Sequence, residues 1–568
     1  MKKNKLLLHK QILAAVLSGG ILLLPNWGYA LPQGGQVVAG TGSIGTPGGD
    51  QMNITGSGNV AIDWNSFNVA QGESVKFSGM QAVLNYVTGN TKSEIFGNIS
   101  GSGVHVFLVN PNGILFGATA SVNVGELTAS TRTIDNRKSF DGTAFSTLSP
   151  EAAQKVRGDI INLGELTADK ILLEGDNISL LNAHMLKSSG NGNITLRADN
   201  KVTVGYEVTD KTTINVGDDA PGGHTVSDYT TGTGTKGSTV LAGAAVQDLR
   251  GNSKNITDAM LVHDIYELQA IDKNTVVGSD GHKYVQGDYM LANDIDASGT
   301  VNWHNGKGFA SIGDISDWPN SPKGGFTGSL DGLDCKIMGL NIKRTDTSNY
   351  YGCYIGLFTI LREEASVKNI RLTDYETKDI NGAATIIKSY IEGAQEVGGI
   401  AGVNYGAISN VTNEADIAAG SLGEVGGIVG VNYGNLENII NKGTITSTGG
   451  SLGGIAGSNI GGTINNARNE ADIEAKNSFV GGIAGQNSAM GTISNSINFG
   501  EITGSGVNEI GGICGYNGGG INRGGIIDSC TNTEDAAIVI TGGSNIGGIV
   551  GRNDFGVDIL DKTHSITN

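Results

Sequence analysis

The sequence predicts an all-β chain of short strands that ends in a repeat-built parallel β-solenoid, and three observations carry that expectation. Glycine supplies 91 of 568 residues, aromatic residues 6% and charged residues 16%, a balance that excludes helical bundles and a charge-rich disordered tail alike. Short apolar runs alternate with period two and are broken by Gly, Asn and Asp along most of the length. The last third repeats itself, Gly-Gly-Ile-x-Gly beginning at Gly398, Gly426, Gly453, Gly481, Gly511 and Gly547, and repetition at this spacing marks a protein that grows along one axis.

Residues 1–30 read as a signal peptide. Lys2, Lys3, Lys5 and Lys10 form a basic start, Ile12 to Leu24 an apolar stretch, and Gly28 and Ala30 the small residues before a cleavage site between Ala30 and Leu31. Such a segment hands the chain to the Sec translocon, and no later stretch is apolar enough to span a membrane as a helix. Its removal takes the formal charge from −18 to −22. A surface this acidic repels nucleic acid, so nucleic acid is not an expected partner.

Residues 31–204 alternate brief β-rich runs such as "VAIDWNSFNVA", "ESVKFSG" and "VHVFLVN" with turn residues. "VNVGELTAS" at Val122 is echoed by "INLGELTAD" at Ile161, as though one rung returns 39 residues later. Ser149, Pro150 and Glu151 mark a short helix with an N-cap and a first-turn acid. Residues 205–254, rich in Thr, Gly and Asp, read as a loop-rich linker, and 255–391 as a β-rich lead-in. Residues 392–568 hold the repeats.

Each repeat carries Asn two residues after its last Gly: Asn404, Asn432, Asn459, Asn487, Asn517 and Asn553. An apolar position follows at Ile408, Leu436, Ile464 and Ile493, then Asn-x-x-x-Ile from Asn413, Asn441, Asn469 and Asn498. Three short apolar segments per repeat suit one coil of a three-sided solenoid. One coil cannot bury its apolar side chains, but each added coil covers the last, and in-register asparagines can bond in ladders.

Four cysteines, Cys335, Cys353, Cys514 and Cys530, show neither Cys-x-x-Cys nor a nearby His pair, so no metal site is expected. Cys514 takes the place held by Ala401, Val429, Ala456, Ala484 and Val550, and Cys530 that of Val411, Ile439 and Ala467. Both read as inward core residues, with a bond between them as the alternative.

"VFLVNPNGILFG", Val106 to Gly117, places a Pro turn between two apolar runs. With "AIDWNSFNVAQGESVKF" and "AVLNYVTGNTKSEIFGNI" it resembles the secretion domain of filamentous-haemagglutinin-type two-partner secretion exoproteins, over roughly Leu31 to Leu180. That family's Asn-Pro-Asn-Leu motif is absent, which blurs the subgroup. The resemblance implies a right-handed parallel β-helix capped at its N-terminus and exported through an outer-membrane β-barrel partner with POTRA domains. It implies further that Asn110, Pro111, Asn112, Gly113 and Ile114 form the secretion motif. The C-terminal repeats resemble GLUG repeats of bacterial surface proteins, with Ile where the name has Leu, and Tyr289 to Arg344 resembles the segment that precedes them.

Motifs of catalysis do not fit their context. Gly449-x-Ser451-x-Gly453 has no strand-to-helix elbow, and Gly40-x-Gly42-x-x-Gly45 opens no helix. His-Glu-x-x-His is absent, and His105, inside a strand, reads as structural. Arg157-Gly158-Asp159 is an integrin-type tripeptide, but it runs straight into "IINLGEL" and reads as a turn that opens a rung. The expectation is therefore a non-enzymatic adhesin without cofactors, secreted or held at the cell surface, with a host or bacterial receptor as partner. A β-helical glycan-active enzyme is the alternative. A contact-dependent toxin carrier comes third, since the repeats run nearly to Asn568.

Overall fold

The computed structural model describes residues 31–143, 158–188, 193–207, 236–313, 324–345, 353–378, 382–420, 423–476, 479–518, 524–554 and 559–560. The short helix expected at Ser149 to Gln154 lies outside these residues, as do residues 1–30. Described residues up to Leu261 form one unit and those from Val262 a second.

The first unit is a stack of parallel coils. Strands Gln51–Trp64, Ser74–Val87, Asn98–Val109 and Ser121–Ser130 lie in register one on the next, followed by Lys170–Leu180 and Ile194–Tyr206. Alternate residues point inward, so Ile54, Val75, Ile99 and Val122 are buried in one column-filled core. Strand Gln36–Ile44 runs antiparallel to Gln51–Trp64 and closes the first coil, as the resemblance implies. Antiparallel pairing there covers an edge that a parallel stack would leave open.

The echo between Val122 and Ile161 is not a stacking register. Val122 pairs with Leu166, and Leu127 with Ile171, because the sheet aligns inward apolar side chains rather than similar words. Ile160–Asn162 sits instead on Ile114–Phe116. Within 205–254, strand Ile194–Tyr206 runs into the segment, and Ala245–Gln247 pairs in parallel upon it.

An unforeseen outer cluster flanks the coils. Residues 131–143 leave the stack and lay Ile134 and Phe140 over Ala61, Ala82, Leu84, Tyr86 and Phe107. Arg137 fastens this strap, donating to Asp63 at 2.7 Å and lying 4.3 Å over the Tyr86 ring.

The second unit opens with a helix, Ile265–Ala270, that strand patterning did not disclose. Asp264 caps it by accepting from the backbone of Tyr266 and Glu267, and Ile265 and Leu268 are buried. Coils follow, and one ladder runs through Tyr289, Leu330, Val367, Ile408, Leu436, Ile464, Ile493 and Ile527. It passes from the lead-in to the repeats with no break.

Each repeat coil has four strand stations, not three. One coil comprises Val425–Gly426, Val429–Asn432, Asn435–Asn441 and Ile445–Ser447. The extra station is two residues long in the earlier coils and four in the last two, Asn508–Gly511 and Ser544–Gly547, too short for alternation to reveal.

Asparagine ladders join the coils. Asn404 donates to Asn432, Asn432 to Asn459 and Asn459 to Asn487, each at 2.8 Å, and Asn487 to Asn517 at 3.0 Å. A second ladder links Asn413, Asn441, Asn469 and Asn498 at 2.9 Å per step. All eight of Asn404, Asn432, Asn459, Asn487, Asn413, Asn441, Asn469 and Asn498 are fully buried, so each amide meets its hydrogen-bonding needs within the stack. A third ladder, from buried Asn369 through exposed Asn410, Asn438 and Asn466, occupies left-handed corners with φ between 53° and 56°.

Cys514 pairs with Ala484 and Val550 in the inward column, as its repeat position requires, and no disulfide joins it to Cys530.

Candidate functional site

Asn110 follows the strand Asn98–Val109, and the chain turns a corner over Pro111 and Asn112 before Ile114 enters the next strand. The Gly113 N–H donates to the Asn110 carbonyl at 3.1 Å, which makes a β-turn. Gly113 has φ 115°, a conformation that side chains disfavour, so the last residue of the turn is fixed by geometry.

Both asparagines then reach into the preceding coil. Fully buried Asn110 donates through Nδ2 to the Thr91 carbonyl and to Ser93 Oγ, both at 3.0 Å. Asn112, exposed at the corner, donates to the Gly89 carbonyl at 2.8 Å. Ile114, buried, pairs with Ser93 on one side and Ile160 on the other. Pro111 is half-buried and fixes φ for the turn.

The following coil closes upon the turn. Ile114 N donates to the Asp159 carbonyl at 3.0 Å, and a Cβ on Gly158 would stand 2.3 Å from Gly113 N. The structure thus brings together two sets of residues that the sequence treated separately. Asp159 Oδ1 accepts from the backbone and side-chain amides of Asn177 at 3.1 and 2.9 Å. Arg157 and Ala30 lie outside the described residues, and Leu31 is fully buried.

His105 is held structurally. Its ring stacks on Phe107 at 3.9 Å, and Nε2 meets Thr128 Oγ1 at 2.9 Å. Burial pushes its pKa down, against the opposing pull of Glu126.

Sequence reasoning missed the contributions of Gly89, Thr91 and Ser93, although "VTGNTKSEIFG" lies within the motifs that carried the resemblance. It also missed a buried ion pair. Glu174, fully buried, receives Arg132 Nη2 at 2.6 Å and Ser130 Oγ at 2.9 Å. It therefore anchors the chain where the strap over the outer cluster begins. Among the described residues no group of three or more His, Cys, Asp or Glu is placed to hold a metal, and no helix is long and apolar enough to cross a membrane.

Residues 30–281 match the family described as the TPS (two-partner secretion) secretion domain, a match that extends beyond residue 204 and takes in the helix Ile265–Ala270. Over 173 residues the chain is 30% identical to a heme/hemopexin-binding protein of Haemophilus influenzae, covering 29% of this chain and 19% of that one. Another heme/hemopexin-binding protein of Haemophilus influenzae is 36% identical over 108 residues, covering 18% and 12%. The chain therefore spans about a fifth or less of the length of these curated relatives. Among solved structures, the HMW1 secretion domain of Haemophilus influenzae aligns with 90% of this chain and 100% of its own length, at 17% identity and TM-score 0.21. The family match over residues 30–281 is to a secretion domain.

Proposed function

We propose, from the premise that this chain is a two-partner secretion exoprotein with its secretion domain at residues 30–281, that it is an adhesin whose repeat solenoid presents a binding surface outside the cell. On this reading the signal peptide is cut between Ala30 and Leu31. The Sec translocon delivers the chain to the periplasm, and an outer-membrane β-barrel with POTRA domains carries it across. The chain is then secreted or held at the surface, where it meets a host or bacterial receptor. The repeats are of the GLUG type.

One observation carries the export reading: the turn Asn110 to Gly113 is locked between two coils, with Asn112 exposed at its corner. A turn held this firmly offers a transporter a fixed corner. The stacked coils downstream supply reach, since each added coil lengthens the solenoid while burying its own apolar face.

The test is fractionation of medium, surface and periplasm in cells with and without a co-expressed transporter partner. Appearance outside the cell only with the partner is expected. Periplasmic retention in both cases would overturn the export reading.

A further inference from the structure

Glu396 and Glu424 occupy the same position in neighbouring repeat coils. Glu396 pairs with Tyr354 in the coil before, Val397 pairs with Val425, and Val397 N donates to the Glu424 carbonyl at 3.0 Å. Val397 and Val425 are fully buried and point inward, so the two glutamates alternate to the opposite face and stack one above the other. Parallel strands lie roughly 4.8 Å apart, so the two side chains are neighbours of equal length, and the Glu396 charge is felt at Glu424.

Among the described residues no ion pair is formed by Glu396 or Glu424. Oε2 of Glu396 and Oε2 of Glu424 are shut off from solvent and have no hydrogen-bond partner. Cys353 and Tyr354 face them from the preceding coil, and Tyr405 and Tyr433 from the neighbouring column. Each of these groups is neutral or, once ionised, negative. Ser451 follows in the next coil, and its carbonyl accepts from Val425 N at 2.9 Å. Two cations of this region are engaged elsewhere: Lys343 pairs with Glu392 at 3.3 Å, and Arg362 lies over the Tyr284 and Tyr405 rings, 5.8 Å from each.

Two like charges stacked in such a place cannot both be ionised without cost. We propose that Glu396 and Glu424 share one proton and form a pH-sensitive clasp between their two coils. The protonated carboxyl donates to the other's oxygen, which satisfies both orphaned atoms at once. Loss of the proton leaves two stacked carboxylates that repel, and the coils separate locally to admit water.

Burial, with the Glu396 charge in addition, pushes Glu424 up to about 7, and burial raises Glu396 as well. The folded state therefore binds more protons than the unfolded chain. Its stability is fully present below the ordinary carboxylate range and is lost as pH rises toward and through about 7.

Hydrogen exchange of the whole chain tests this, read at the Val397 and Val425 amides and corrected for the intrinsic rate. Between pH 5 and 8.5 their protection is expected to fall on the order of 10- to 100-fold, and to fall markedly less in Glu424→Gln, which keeps the shape and leaves only Glu396 to ionise. The Ile502 amide, bonded to the Ala537 carbonyl in a distant coil, reports whether the variant folds. Equal slopes in wild type and Glu424→Gln would overturn the proposal. If the variant does not fold, carboxyl NMR titration of the native chain decides: one glutamate titrating near neutrality supports the clasp, and both below pH 5 refute it. Protection restored at pH 8 by calcium in wild type alone would also overturn it, making the pair a cation site.

Discussion

Asn110 and Asn112 share a single oxygen. The backbone N–H of Asn112 and its side-chain Nδ2 both donate to Asn110 Oδ1, at 2.9 and 3.0 Å. The two residues nevertheless divide the work unequally, since Asn110 is buried and Asn112 exposed.

That difference separates a structural from a recognition role. Asn110→Ile leaves the Thr91 carbonyl, Ser93 Oγ and the Asn112 amide without their partner inside the stack. It is expected to cost about 2–4 kcal/mol, since each buried unmet group costs about 1–3. Asn112→Ile loses bonds at an exposed corner and is expected to cost about 1 kcal/mol or less. Thermal unfolding measures both. If the transporter reads the corner, both variants stop export; if the turn is only structural, Asn112→Ile is exported normally.

The Arg132–Glu174 pair yields a second prediction. Removing Arg132 leaves fully buried Glu174 only a long contact to partly exposed Arg197 at 3.9 Å, so Arg132→Met is expected to destabilise the unit by about 3 kcal/mol. The double variant Arg132→Met with Glu174→Met buries no charge and is expected to regain most of that loss. Denaturant unfolding followed by exchange protection of strand Lys170–Leu180 checks both. A double variant as unstable as the single one would mean that the pair does more than cancel charge.

Asn459 provides a contrast within the repeats. It accepts from Asn432 at 2.8 Å and donates to Asn487 at 2.8 Å and to the Gly462 carbonyl at 3.0 Å. Asn459→Ala is expected to cost about 2–4 kcal/mol by leaving buried groups unmet. In a stack held by neighbour contacts, the break should also divide the melting transition in two. Asn438 belongs to the exposed ladder at φ 56°. Asn438→Gly keeps that corner and trades its bonds for water, so it should change stability by less than about 1 kcal/mol. Calorimetry of the two variants side by side makes the comparison.

These relationships also show which features the sequence made legible. Cys514 fell into its column because repeats of nearly constant length align by eye, and Asn404 and Asn413 founded ladders for the same reason. In the first unit coil lengths vary, so the similarity of Val122 to Ile161 misled while the true partner, Leu166, carried no verbal likeness. The helix at Ile265 is barely two turns and leaves little periodicity. Glu174 and Arg132 lie 42 residues apart, and Glu396 and Glu424 meet only because two coils stack. Such contacts are products of register, which composition and spacing within one repeat do not encode.

Gly158 ties the turn to the tripeptide in which it lies, and so can distinguish their roles. It carries no turn residue, yet a Cβ there would stand 2.3 Å from Gly113 N and 2.6 Å from the Asn112 carbonyl carbon. Backbone cannot yield as a flexible side chain does, so Gly158→Ala must push the whole corner outward. Export is expected to fall in this variant although Asn110 to Ile114 are untouched, and fractionation with the transporter partner present measures it. Arg157→Glu alters the tripeptide's charge and leaves Gly158 as it is. If Arg157-Gly158-Asp159 serves only to open the rung, Arg157→Glu leaves both export and host-cell attachment unchanged. Attachment lost by exported Arg157→Glu protein would instead assign the tripeptide to a receptor. That assignment would require Asp159, whose Oδ1 is taken up by Asn177, to exchange those bonds for the receptor's.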